Sequence, residues 1–85
     1  MKTIYKYPLT SQDCTLTLPA GAEILTVKLQ NDKPTLWALV DTEEDLKFSR
    51  HICIVGTGWQ VEDNMEYITT YLDGHFVWHV FELNK

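Results

Sequence analysis

The sequence predicts an all-β domain: a small antiparallel β-sandwich or β-barrel of about seven short strands. Three observations carry that expectation. Apolar residues alternate with polar ones at a period of two along most of the chain. Gly, Pro, Asn and Asp punctuate the pattern at intervals of roughly 8–12 residues. No stretch shows a sustained period of 3.6. The 85 residues form one domain, 1–85, with no repeat, low-complexity segment or linker.

Thr3 to Leu9 is the first strand, and Pro8, which donates no ladder hydrogen bond, places it at a strand end or sheet edge. A turn at Ser11 to Asp13 leads to Cys14 to Leu18, where Cys14, Leu16 and Leu18 share one face. Pro19-Ala20-Gly21-Ala22 breaks that strand. Glu23 to Asp41 is the central hairpin, folded across Asn31-Asp32-Lys33-Pro34. On its first arm Leu25, Val27 and Leu29 form the buried face. Its second arm, Thr35 to Val40, is apolar on both parities, so it is covered on both sides, by a second sheet layer or another subunit.

Asp41 to Lys47 is a charged loop and the most mobile segment. Phe48 to Val55 is the next strand, ended by Gly56-Thr57-Gly58, and Trp59 to Met65 is an irregular loop or a single helical turn. Glu66 to Leu72 follows, with Tyr67, Thr69 and Tyr71 on one face. Asp73-Gly74 is a tight hairpin turn, and His75 to Leu83 is the last strand, again apolar on both faces. Two doubly apolar strands are more than so short a monomer covers. This points to a homo-oligomer with Trp37 or Trp78 near the contact.

Composition narrows the function classes. Twelve Asp and Glu stand against seven Lys and Arg, a net charge of -5. That excludes a cationic footprint for nucleic acid. The amino terminus lacks the apolar stretch of a signal peptide, and no run approaches the roughly 20 apolar residues of a membrane helix, so a cytoplasmic protein is expected. Cys14 and Cys53 form no CxxC pair and read as small buried residues of a reducing compartment.

Gly56-Thr57-Gly58-Trp59 is the most function-like stretch. The glycines let backbone approach a ligand, Thr57 offers a hydroxyl and Trp59 a stacking face, with Glu62 and Asp63 close behind. Without a helix start or a Lys, it is not a phosphate loop. The alternative is a strand-ending turn whose Trp59 caps the core. His75 and His79 on one strand lie roughly 13 Å apart, too far to share an ion. His51 could join either across strands, with Cys53 helping, or the histidines are ordinary strand residues. The acidic runs lack the ligand spacing of a calcium loop. No nucleophile or acid–base motif is present, so the chain reads as non-enzymatic, with no cofactor and no metal.

Five blocks carry a resemblance. The opening Lys2-Thr3-Ile4-Tyr5-Lys6-Tyr7-Pro8-Leu9, then Leu18-Pro19-x-Gly21-Ala22-x-Ile24-Leu25, Leu36-Trp37-Ala38-Leu39-Val40-Asp41, Gly56-Thr57-Gly58 and Phe76-Val77-Trp78-His79-Val80-Phe81-Glu82 resemble a family of small, mostly uncharacterised proteins of tailed bacteriophages and prophages. Members of that family often carry His after Gly-Thr-Gly, where this chain has Trp59. The resemblance implies a phage accessory protein made in the host bacterial cytoplasm. Two roles follow as expectations: binding and blocking a host protein of an antiphage defence system, or sequestering a nucleotide-like small molecule.

Overall fold

The computed structural model describes residues 1–84. Seven strands follow in order: β1 (Lys2–Pro8), β2 (Asp13–Pro19), β3 (Glu23–Gln30), β4 (Lys33–Asp41), β5 (Lys47–Gly56), β6 (Met65–Asp73) and β7 (Phe76–Leu83). They form two antiparallel sheets, one of three strands in the order β1-β4-β3 and one of four in the order β2-β5-β7-β6. The expected all-β class is therefore the fold observed, and of the two expected forms, sandwich or barrel, the two separate sheets make it a sandwich. Among the described residues no helix is long and apolar enough to cross a membrane.

The alternation of each strand delivers the core. From the three-stranded sheet come Val27, Leu36, Ala38 and Val40, and from the four-stranded sheet Cys14, Leu18, Ile52, Ile54, Tyr71 and Val80, all buried. Leu9 and Ala22 close the gap between the layers. The opposite parity of β4 is not covered by a second layer. Trp37 and Leu39 lie half-buried on the outer face of the three-stranded sheet, beside the exposed Ile4, which pairs with Leu39.

Two β-bulges correct the simple alternation. In β3, Ile24 opposes Ala38 and Thr26 opposes Trp37, leaving Leu25 as the extra residue. Ile24 therefore joins Val27 and Leu29 against the core, while Leu25 is exposed. In β6, Tyr67 opposes Phe81 and Thr69 opposes Val80, so Ile68 is the extra residue. Tyr67 and Tyr71 consequently sit on opposite faces rather than together: Tyr71 is buried and Tyr67 is more than half exposed. One inserted residue inverts the face of everything beyond it.

The turns are tighter than expected. Asn31 and Asp32 have φ of 52° and 64°, the left-handed pair of a two-residue hairpin loop, so Lys33 and Pro34 belong to β4. Pro34 fits there because its side of the strand lies past the end of β1, where its carbonyl accepts from Leu9 N at 2.9 Å. The β6–β7 loop is Gly74-His75, closed by the Asp73–Phe76 pair, which removes His75 from the strand. Residues 59–64 are irregular, with no helical turn. The charged 42–46 connection is tied at one end: the Met1 ammonium donates to Glu43 at 3.0 Å and to Asp41 at 3.4 Å, and Thr42 N donates to Met1 O at 2.8 Å.

One ion pair lies inside the sandwich mouth. The Arg50 guanidinium on β5 binds Glu82 on β7, with Nη2 to Oε1 at 2.8 Å, and its Nη1 donates to Ala22 O at 2.8 Å. The second bond ties the four-stranded sheet to the loop entering β3.

Candidate functional site

β5 ends at Gly56, which pairs with Trp78 of β7. The chain then reverses: Gly58 has φ +90°, a conformation that favours glycine. Trp59 N donates to Gly56 O at 3.1 Å, which folds the indole back over Gly56. A Cβ at Gly56 would meet Trp59 Cε2 at 2.9 Å, so the bare backbone at this position is what the indole rests on.

Trp59 meets Trp78 edge to face, with centroids 5.6 Å apart and planes at 78°. Phe76 lies nearly parallel to Trp78 at 5.9 Å and 24°. These are favourable arrangements of ring quadrupoles. Between them opens a groove of about 430 Å³ lined by Gly56, Thr57, Trp59, His75, Phe76, Val77 and Trp78. Trp59 is 52% and Phe76 65% exposed, although Phe76 opens β7 and Trp59 is held in the turn after β5 by its backbone bond to Gly56 O. Trp78 also lines a second concavity of about 270 Å³ with Leu9, Pro34, Ile54, Tyr71 and Asp73. The indole thus divides two depressions at one end of the sandwich.

Polar chemistry enters the groove from its margin. Thr57 Oγ1 lies 2.9 Å from His79 Nε2, and His79 Nδ1 lies 3.0 Å from Thr70 Oγ1, which contacts the Tyr67 hydroxyl at 2.8 Å. This relay orients the imbedded imidazole across the outer face of the four-stranded sheet. Among the described residues the groove lining includes no Lys or Arg, so it offers aromatic faces, a hydroxyl and backbone groups rather than a charge for an anion. An arrangement of this kind can stack a flat ring or seat an apolar side chain.

The sequence-predicted residues divide around this geometry. Gly56, Thr57 and Trp59 line the groove, and Gly58 shapes the turn that forms it. Glu62 and Asp63 do not line it; they are exposed in the following segment, where Met65 N donates to Glu62 O at 3.2 Å. Trp78 is a groove wall packed against the core, whereas Trp37 lies on the other sheet. Phe76, His75 and Val77 complete the site, and sequence reasoning missed them. The signal that finds them is register: Gly56 opposite Trp78 and Asp73 opposite Phe76.

Over residues 1–85 the chain matches the family described as Domain of unknown function (DUF7352), and it belongs to that family. No curated protein and no solved structure matches it.

Proposed function

From the phage-like sequence blocks and the groove we propose that the protein is a non-enzymatic binding protein of phage origin that acts in the bacterial cytoplasm by docking on a host protein. The observation that carries this reading is the cluster of Trp59, Trp78 and Phe76 around an open groove at one end of the sandwich. Protein–protein hot spots are rich in Trp, and anchors fixed by the scaffold lose little entropy on binding. The acidic balance of -5 suits a partner with a basic rim and disfavours nucleic acid. Inhibition of an antiphage defence component is the role consistent with the phage-like sequence blocks.

Affinity capture from host lysate tests this. The wild-type protein is expected to retain a stoichiometric host protein, and Trp59→Ala to lose it, with at least a tenfold drop in affinity for a hot-spot truncation costing about 2 kcal/mol. Capture that is unaffected by Trp59→Ala and Phe76→Ala would remove the groove from the interaction.

A second reading is favoured by the groove volume of about 430 Å³, which falls in the ordinary range for small-molecule sites. Here the protein, as a homo-oligomer, sequesters a nucleotide-like molecule whose base stacks on the aromatic walls. A second copy would pack on the Trp37 face or beside Trp78. Native mass spectrometry distinguishes the readings: an oligomer with added mass at each site supports sequestration, and a bare species supports the protein target.

A further inference from the structure

The geometry points to a divalent transition-metal site formed by Asp13, His51 and Cys53 on the outer face of the four-stranded sheet, with Zn²⁺ the best chemical match. His51 and Cys53 are two apart on β5 and therefore project from the same face. β2 runs antiparallel beside them and places Asp13 directly opposite Cys53. One ligand atom from each of the three residues lies within 4.8 Å of the other two, and the Asp13 carboxylate contacts His51 Nε2.

A tetrahedral zinc ion with bonds of 2.0–2.3 Å holds its ligand atoms roughly 3.3–3.8 Å apart. Strand pairing fixes the three backbones, and rotation of the Asp13, His51 and Cys53 side chains is the adjustment that brings their ligand atoms to that spacing. A mixed nitrogen, sulfur and oxygen set selects Zn²⁺ or Co²⁺ over Mg²⁺ and Ca²⁺, which prefer oxygen alone. Three protein ligands leave the fourth position open to water or an outside donor. That position faces solvent through the exposed Asp13, beside a depression of about 240 Å³ that His51 lines with Thr15, Ser49 and Leu83.

Cys53 is set apart from Cys14. Cys14 belongs to the core cluster, whereas Cys53 lies outside it, flanked across the strands by Asp13 and Phe81. Burial and the Asp13 charge both push the Cys53 thiol up. A bound cation acts in the opposite sense, neutralising Asp13 and stabilising the thiolate. The trio lies on the face of the sheet opposite Trp78, so this site stands independently of the aromatic groove.

The test uses the full chain, stripped with chelator and titrated with Co²⁺, then Zn²⁺. One Co²⁺ per chain is expected, with a near-ultraviolet thiolate-to-cobalt charge-transfer band and tetrahedral visible bands that equimolar Zn²⁺ bleaches. Cys53→Ser should abolish the charge-transfer band. His51→Ala and Asp13→Asn should each weaken Zn²⁺ at least about tenfold, as read by competition with a chromophoric chelator. No charge-transfer band at stoichiometric Co²⁺, or a band that survives Cys53→Ser, overturns the site. Should Cys53→Ser fail to fold, Asp13→Asn at its exposed position decides the matter, because unchanged Zn²⁺ affinity there overturns it as well.

Discussion

At Gly56 a missing methyl group shapes the groove. Its φ lies outside the left-handed region, so alanine is allowed by the backbone, and the obstacle is the Trp59 ring at 2.9 Å from the new Cβ. That ring is the half-exposed end of a side chain, so it yields before the strand does. Gly56→Ala should therefore cost less than about 1 kcal/mol of stability, well under the 1–3 typical of an overpacked core. The Trp59–Trp78 edge-to-face contact should be lost with it. Near-ultraviolet circular dichroism reads the lost indole coupling, and urea unfolding reads the small change in stability. A large loss of stability with the aromatic signal intact would contradict this account.

Among the elements, composition and structure part company in β3. Ile24-Leu25-Thr26-Val27 offers two equally apolar phases, and a bulge uses one before Leu25 and the other after it. Leu25→Lys should then be tolerated within about 0.5 kcal/mol, as at an ordinary surface position. Ile24→Ala should cost about 1–3 kcal/mol, below the full-burial range because Ile24 is only partly buried. Chemical denaturation of the two variants checks the order, and the reverse order would place Leu25 inside. The bulge at Ile68 does the same for β6, sending Tyr67 outward to Thr70 and Tyr71 inward.

For the whole molecule, the interior between the sheets resists charge. Burial raises the Tyr71 phenol, with the Asp73 carboxylate adding to it, and burial raises Tyr7, with Tyr5 adding to it. A raised folded-state value means that the contribution to stability is fully present below the unfolded phenol value of 10.0. It is lost as pH rises through the folded values. Urea unfolding from pH 8 upward should show stability falling above about pH 10, and Tyr71→Phe should flatten that decline. An alkaline slope unchanged in Tyr71→Phe would place the sensitivity elsewhere.

The amino-acid order by itself determined the all-β class with about seven strands, the turn positions to within a residue or two, and the break after β5 at Gly56–Trp59. These follow from local chemistry: alternation, proline and glycine placement, and the left-handed tolerance of Asn31-Asp32. Turn chemistry also gave the β3–β4 and β6–β7 hairpins. The tertiary structure alone decided that the sheets form a sandwich rather than a barrel. It also decided the β1–β4, β2–β5 and β5–β7 pairings, where Leu25 and Ile68 bulge, and which residues meet across strands. Trp78, with Phe76 stacked on it, meets Trp59, and Asp13 reaches His51 and Cys53, only because register brings distant segments together. Register is an energy summed over both sheets. No local window of the chain contains both partners of such a pair, and Glu62 and Asp63, near Trp59 in the chain, stay outside the groove for the same reason.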